Sequence, residues 1–197
     1  MKNVSRSTNL MVKIALLATL GLLLSFVQFP ILPAFSYLQI DLGDIPALIG
    51  AFAFGPIIGI AVEAVKNLII LIFHPSPTGG IGELANFIVG AAFVGTAGLF
   101  YSKNKTKKTA IISLVVSVIA IVIAGVVSNY LLIVPLYFGK MPTDKLVEYM
   151  VSGIIPFNLI KGVIISVVTM LIYKSVSPLI HSESLNNKFL RNNKKSV

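Results

Sequence analysis

Eight polar side chains lie inside stretches of sequence that are otherwise apolar, and they are the residues best suited to binding chemistry. They are Glu63, Lys66, Asn67, Glu83, Asn86, Asn129, Asn158 and Lys161. Asn158 and Lys161 are three residues apart and share one face of a helix. The same spacing joins Glu83 to Asn86. Amides offer both a donor and an acceptor, and a lysine ammonium donates to carbonyls. The set therefore favours a neutral, polar heterocycle over an inorganic ion as the ligand.

The residues or motifs required for disulfides, metal sites, ATP binding or nucleophilic catalysis are missing from the sequence. The chain has no cysteine, which excludes disulfides, zinc thiolate sites and cysteine nucleophiles. Its two histidines, His74 and His181, do not have the spacing of metal ligands. Neither a Walker A sequence nor a G-x-S-x-G sequence is present. Neither an enzyme nor an ATP-binding protein is therefore predicted.

Asp41 and Asp44 form a D-x-x-D pattern, a spacing that is able to hold a cation. No further carboxylates lie nearby in the sequence, which disfavours a cation site. An aspartate oxygen accepts readily from the free N–H groups of a first helical turn. Capping of the helix that follows is therefore the favoured role for Asp44.

The composition excludes a water-soluble protein. Hydrophobic residues make up 56% of the 197 residues and charged residues only 12%, whereas soluble domains carry about 25% charged residues. At about 20 apolar residues per crossing, the chain has room for roughly five or six transmembrane helices. The prediction is an all-α integral membrane protein.

Breaks in the apolar runs divide the chain into six predicted spans. Their bounds are residues 14–29, 46–54, 57–73, 81–101, 109–134 and 151–173, and the second span is short. Residues 31–44 are too polar to cross a membrane and too aromatic for a plain linker, so we expect an ordered external loop. The membrane domain comprises residues 10–175, between an N-terminal segment 1–9 and a basic tail 176–197.

The distribution of charge predicts the orientation. The net charge is +9, and twelve of the sixteen Lys and Arg residues fall on the side of the two termini. The other side carries Lys140 and Lys145 against four carboxylates. Because cytoplasmic loops collect Lys and Arg, both termini are expected in the cytoplasm. Orientation accounts for most of the charge, so nucleic-acid binding is not needed to explain it.

Polar side chains of four spans fall at a common depth. At 1.5 Å per residue, those of the third to sixth spans lie about 8–15 Å below the outer surface. This coincidence predicts a pocket that opens outward, with the loop around residues 35–39 as its lid. The alternative is that single asparagines only join helices by hydrogen bonds. Glu63 lies deeper and is expected to neutralise Lys66 in a structural pair.

Five short motifs resemble those of a known family of membrane proteins. They read LGDIPALIG at 42–50, FGP at 54–56, KN at 66–67, GGIGELANF at 79–87 and PFNLIKG at 156–162. Together they resemble the S components of energy-coupling factor (ECF) transporters, and most of all the riboflavin-specific members. The resemblance covers residues 10–175.

The resemblance implies a fold, a ligand and partners. S components are six-helix proteins of the bacterial plasma membrane that bind a vitamin near the outer face, here riboflavin, and they need no cofactor. They have no ATPase and dock on one transmembrane T subunit with two ABC-type ATPases. In the family, docking uses an Ala-x-x-x-Ala pattern on the first helix. Here that stretch offers Ala15, Ala18 and Thr19, in which small residues recur at 15 and 19 instead.

The resemblance also assigns roles to the polar residues. Asn129, Asn158 and Lys161 are expected around the polar edge of the flavin ring, with Gln39, Glu83 and Asn86 toward the ribityl hydroxyls. The full predicted substrate-binding set is Leu38, Gln39, Asp41, Lys66, Asn67, Glu83, Asn86, Asn129, Tyr130, Asn158 and Lys161. Three alternatives stay open at this point: an S component for another vitamin, a stand-alone secondary carrier and a small membrane enzyme.

Overall fold

A computed structural model describes residues 2–172 of the chain, and Tyr173 and the predicted tail 176–197 lie outside them. The described residues form an all-α bundle. Its helices are α1 (Lys2–Ser25), α2 (Asp44–Phe54), α3 (Pro56–Phe73), α4 (Ile81–Lys103), α5 (Lys107–Phe138) and α6 (Thr143–Ile172). Among the described residues, five helices are long and apolar enough to cross a membrane, and α2 is the short one. The predicted all-α fold class is confirmed, and the number of helices agrees roughly with the six predicted spans.

The first helix ends earlier than the hydropathy indicates. The first span is predicted to reach residue 29, but α1 ends at Ser25 and strand β1 (Gln28–Pro30) follows. β1 pairs antiparallel with β2 (Gln39–Asp41), which places Phe29 opposite Ile40. Pro30 cannot continue a helix because it lacks the N–H group, and the strand pairing supplies partners for the neighbouring backbone groups. The loop between α1 and α2 is therefore ordered, as predicted, and the structure adds that it is a β-hairpin.

The fifth and sixth helices are longer than their predicted spans because each contains a π-helical segment. Asn129–Phe138 completes α5 and Tyr149–Ile154 lies within α6. The fifth span is predicted to end at residue 134, but Pro135 remains inside the helix. Local π turns can accommodate a proline, which an α-helical interior does not. Such segments occur frequently at functional sites.

The short helix α2 is central to the packing. Eight of its eleven residues are buried, which is the pattern of a helix surrounded by others. It contacts α1, α3 and α4. At its far end the rings of Phe52 and Tyr101 lie with centroids 4.5 Å apart. These contacts form the main apolar core.

One cavity is lined by residues from the ends of consecutive long helices: Ser25, His74, Gly82, Phe138 and Tyr149. The long helices therefore alternate in direction, and residues 2 and 172 lie together at the end of the bundle away from this cavity. That end also carries the lysine-rich connection around residues 103–108, and we call it the basic end. The β1–β2 hairpin, the connection 74–80 and the connection 139–142 lie at the other end, which we call the hairpin end.

Gly98 of α4 packs directly on the backbone at the start of α3. A Cβ atom at Gly98 would lie 2.8 Å from Pro56 Cα and 3.0 Å from Pro56 N. One turn earlier, a Cβ atom at Gly95 would meet the end of a flexible side chain, Ile60 Cδ1, at 3.1 Å. Backbone atoms cannot move aside as a side chain can.

We therefore expect Gly98→Ala to destabilise the bundle by about 1–3 kcal/mol through overpacking, and Gly95→Ala to cost less. The measurement is the thermal unfolding midpoint of both variants in detergent. Equal midpoints for the two variants would contradict the backbone contact as the cause.

Candidate ligand-binding site

A cavity of about 650 Å³ lies at the hairpin end of the bundle. Its volume is within the range of small-molecule sites, about 300–1,000 Å³. Every long helix contributes to its lining, and so do the hairpin and the connection between α3 and α4. Nine of the eleven predicted substrate-binding residues line it: Leu38, Gln39, Asp41, Asn67, Glu83, Asn86, Asn129, Asn158 and Lys161.

Lys66 and Tyr130 are the two predicted residues that the structure places outside the cavity lining. Lys66 is completely buried and points toward α2. Tyr130 is 57% exposed. Consecutive helical residues point about 100° apart, so the neighbours Asn67 and Asn129 take the inward positions. Depth alone cannot distinguish the members of these adjacent pairs.

A closed ring of polar contacts lies beneath the cavity. Lys66 Nζ is 2.6 Å from Asp44 Oδ1 and 2.8 Å from Glu63 Oε2, which confirms the predicted Glu63–Lys66 pair. Lys161 Nζ lies 3.0 Å from Asp44 Oδ2. Asp44 therefore bridges the two buried lysines and joins α2 to α3 and α6.

Two asparagines complete this ring on the side of the cavity. Asn67 Nδ2 donates to Glu63 Oε2 at 3.2 Å, and Asn86 Nδ2 donates to Asn67 Oδ1 at 2.9 Å. Lys161 Nζ then donates to Asn86 Oδ1 at 3.4 Å. We call these six residues the buried ring: Asp44, Glu63, Lys66, Asn67, Asn86 and Lys161. Its two ammonium groups balance its two carboxylates.

The predicted capping role of Asp44 is wrong. Gly43 occupies the N-cap position of α2 without a side-chain cap, and the Asp44 carboxylate is turned to the lysines. An exposed cap would satisfy backbone N–H groups, but here two buried ammonium groups compete for the carboxylate. An ammonium group attracts the carboxylate more strongly than a neutral N–H group does, because both partners carry a full charge, so the lysines determine its direction.

Asp41 is held at the edge of the cavity by three different groups. Its Oδ1 accepts from the Gly43 N–H at 2.8 Å and from Ser25 Oγ at 3.4 Å. Its Oδ2 lies 3.3 Å from Lys161 Nζ. The D-x-x-D carboxylates thus share the Lys161 ammonium. Within residues 2–172, no group of three His, Asp or Glu side chains is arranged to hold a metal ion.

Asn129 has most of its hydrogen-bonding capacity in use. Its Nδ2 donates to the Gly125 carbonyl at 2.8 Å, and its Oδ1 accepts from the Tyr149 hydroxyl at 2.7 Å. A carboxamide carries two N–H donors, so one N–H is left for a ligand. The sequence reasoning did not identify Tyr149, because its approach to Asn129 depends on how α5 and α6 pack.

Asn158 is anchored at one atom and lies at the wall of the cavity. Its Nδ2 donates to the Ile154 carbonyl of the preceding turn at 2.9 Å. The second N–H and the Oδ1 atom are then available as a donor and an acceptor. A ligand with an adjacent carbonyl and N–H matches this pair.

Glu83 holds the connection between α3 and α4 over the cavity. Its carboxylate accepts from the Ser76 N–H and from Ser76 Oγ, the latter at 3.0 Å. Thr78 Oγ1 accepts from the Gly82 N–H at 2.8 Å and hydrogen bonds to Ser76 Oγ at 2.6 Å. The carboxylate thus fixes the connection, and no local sequence pattern indicates these partners.

Aromatic side chains tie the hairpin loop to both π-helical segments. The rings of Phe35 and Tyr149 are 6.2 Å apart, those of Tyr37 and Phe138 are 6.5 Å apart, and those of Phe138 and Tyr149 are 5.7 Å apart. Burial raises the pKa of the Tyr37 phenol above its usual value. An ordinary tyrosine hydroxyl is already protonated at neutral pH, so that of Tyr37 can donate a hydrogen bond. Tyr37, Phe138 and Tyr149 of this cluster line the cavity, and closure of the loop as a lid stays a prediction.

The three small residues predicted for partner docking do not share one surface. Ala15 and Thr19 are exposed on α1, and Thr19 Oγ1 donates to the Ala15 carbonyl at 2.8 Å. Ala18 is completely buried in the main core because its helical position faces the other helices. It is therefore not available for a direct contact with a partner.

Comparisons with known proteins agree with this architecture. A family model described as "ECF transporter, substrate-specific component" matches residues 9–173. A solved structure described as "Structure and mechanism of the S component of a bacterial ECF transporter" has a TM-score of 0.74 and 36% sequence identity, and the match covers 88% of this chain and 98% of that one.

Two curated relatives carry names that state a ligand. "Riboflavin transporter RibU" of Staphylococcus aureus (strain TCH60) is 37% identical, over 85% of this chain and 89% of its own. "Riboflavin transporter FmnP" of Bacillus subtilis (strain 168) is 35% identical, over 88% and 94% respectively. Both are named as transporters and neither as an enzyme.

Removal of the Lys66 cation leaves two carboxylates in the interior with one fewer counterion. We expect Lys66→Met to destabilise the protein by about 3–5 kcal/mol, because an uncompensated buried charge is costly. The control is Lys103→Met, since Lys103 is exposed and lies over the Phe100 ring.

The measurement is the thermal unfolding midpoint of both variants in detergent. The double variant Glu63→Gln/Lys66→Met removes one anion together with the cation, and we expect it to recover part of the loss. A double variant less stable than Lys66→Met alone would contradict the charge balance.

Proposed function

Because the chain belongs to the family of substrate-specific (S) components of ECF transporters, we propose that it binds riboflavin and delivers it for uptake into the cell. The names of the relatives supply the ligand, and the polar groups of the cavity support it. The observation that carries the proposal is the pair of amides, Asn129 and Asn158, each oriented by a protein contact at the cavity wall.

The flavin ring has a uracil-like edge on which carbonyl and N–H groups alternate. Asn158 offers an acceptor and a donor to this edge, and Asn129 offers one further donor. Apolar side chains of α4, α5 and α6 provide walls for the ring, among them Val89, Ile133 and Ile154. Neutral amides suit a neutral ligand because no charge has to lose its water without a partner.

The ribityl chain is assigned to the more polar part of the cavity. Gln39, Asn86 and Glu83 line that part, and each has an oxygen that can accept from a hydroxyl. Since Glu83 also holds Ser76, its carboxylate is already oriented. A preoriented acceptor loses little conformational entropy when the ligand binds.

Lys161 needs a modified role. Its ammonium is already shared by Asp41, Asp44 and Asn86, and the contact with Asn86 Oδ1 is the longest at 3.4 Å. A ligand carbonyl would take the place of this longest contact. Asn86 would then be released to a hydroxyl of the same ligand.

Transport requires an orientation and a partner. The positive-inside rule assigns the basic end to the cytoplasm and the cavity to the outside. An energy-coupling module of one T subunit and two ABC-type ATPases would supply ATP-driven transport. The exposed residues Ala15 and Thr19 of α1 are the proposed docking positions, without Ala18.

Riboflavin titration of the purified protein tests the ligand. We expect the flavin fluorescence to be quenched to saturation near one flavin per chain. The flavin signal is the one to follow because the chain has no tryptophan. Asn158→Ala should weaken binding by about 1–3 kcal/mol, or roughly 5- to 150-fold, since the ring edge loses its partner.

Asn104→Ala is the matched control, because Asn104 is exposed in the connection at the basic end and should bind as the unchanged protein does. If the protein does not bind riboflavin, the proposed ligand is wrong. If the Asn158→Ala variant binds as tightly as the unchanged protein, only the assignment of Asn158 to the polar edge of the flavin ring is wrong.

A bulky residue on the exposed face of α1 tests the partner. We expect Ala15→Trp to leave riboflavin binding unchanged and to abolish riboflavin uptake by the complete transporter in vesicles. The control is Ile119→Trp, at a position on α5 that is 58% exposed. This variant should keep both riboflavin binding and riboflavin uptake. Uptake that persists without the ATPases would instead indicate a stand-alone carrier.

A further inference from the structure

Gly125 of α5 marks a close approach between α5 and α6 at the wall of the cavity. A Cβ atom built on Gly125 would lie 2.6 Å from Asn158 Cγ and 3.0 Å from Asn158 Oδ1. Real Cβ atoms essentially never come within 3.0 Å of a non-bonded heavy atom of another residue. The Asn158 amide therefore occupies the space that any other residue at position 125 would fill with its side chain.

Asn129, the second amide assigned to the flavin ring, contacts Gly125 as well. Asn129 lies one helical turn after Gly125, and its Nδ2 donates to the Gly125 carbonyl at 2.8 Å. Gly125 thus lies between the two amides, with one against its Cα and the other bonded to its carbonyl. Two side chains from different helices take their positions from one glycine.

We propose that Gly125 is a positioning residue for the ligand, because the absence of its side chain sets where the Asn158 amide lies relative to Asn129. Gly125 is not among the residues that line the cavity, so it acts through Asn158. This inference rests on the proposed function, since it takes Asn158 as a ligand contact.

The consequence of a methyl group at position 125 follows from what is free to move. The backbones of α5 and α6 are held by their own hydrogen bonds, whereas the Asn158 amide ends a short side chain anchored by one bond to the Ile154 carbonyl. The least costly relief is rotation of Asn158 away from α5. That rotation moves the donor and acceptor of Asn158 away from the polar edge of the flavin ring. Alanine forms helices better than glycine, so a weaker α5 would not be the cause.

Gly162 provides a matched control at the same pair of helices. It lies on α6, and a Cβ atom there would be 3.0 Å from Ile121 Cγ2 and 3.3 Å from Val118 Cγ2 of α5. These are aliphatic carbons outside the cavity lining. Gly162→Ala therefore introduces the same methyl group between the same helices without touching an amide.

The test compares riboflavin affinity, measured by flavin fluorescence, in the full-length unchanged protein and four variants: Gly125→Ala, Gly162→Ala, Asn158→Ala and Gly125→Ala/Asn158→Ala. We expect Gly125→Ala to weaken binding about as much as Asn158→Ala does, and Gly162→Ala to have little effect. In the double variant the methyl group has room where the amide was, so its affinity should equal that of Asn158→Ala.

Several results would overturn the inference, and they differ from a failure of the proposed function. If Asn158→Ala weakens binding while Gly125→Ala binds as the unchanged protein does, Gly125 has no positioning role. An equal loss in Gly162→Ala would assign the effect to helix separation, and a further loss in the double variant would show that Gly125 acts independently of Asn158. An unchanged protein that fails to bind riboflavin would disprove the proposed function itself, and the inference with it.

Discussion

The buried ring centred on Asp44 is the interaction on which the rest of the structure depends. Asp44 is completely buried and lies within 3.0 Å of both buried ammonium groups. Ions removed from water cost several kcal/mol each, which is offset only when every charge has close partners. Lys66 must therefore meet Glu63 and Asp44, and Lys161 must reach Asp44 from α6. These requirements fix the mutual positions of four helices, because the ring includes residues of α2, α3, α4 and α6.

The cavity takes its shape from this fixed base. Asn67 and Asn86 belong to the ring and also line the cavity, so a ligand meets side chains that are already oriented. Above the base, aromatic pairs around Phe35 attach the hairpin, and charge-assisted hydrogen bonds of Glu83 attach the α3–α4 connection. The base is thus held by ion pairs between helices, whereas the cover is held by contacts of the connecting segments.

The sequence predicts the depth of the site better than its direction. Helix rise is regular, and five of the six residues that counting along the spans places at one depth line the cavity: Asn67, Asn86, Asn129, Asn158 and Lys161. The direction around each helix depends on packing, and adjacent residues such as Asn129 and Tyr130 could not be told apart. One partner of Lys66, Glu63, is predictable because it lies one helical turn away. The other partner, Asp44, lies 22 residues earlier and is brought close only by the tertiary fold. The π turns that carry Asn129 and Tyr149 have no local signature, so the ends of the last two spans were missed.

Close backbone contact joins α1 to the base of the site, which bears on how a ligand site and a partner site could communicate. A Cβ atom on Gly21 would lie 2.9 Å from the Gly43 carbonyl, and one on Gly43 would collide with Ser25. Ser25 reaches Asp41 and lines the cavity, while Ala15 is exposed ten residues earlier, at about 15 Å along the same helix. The proposed ligand and partner positions thus lie on one continuous helix. Because α1 packs on the base of the site through these glycine contacts, a displacement of α1 at the partner position would reach the cavity without a hinge between the two sites.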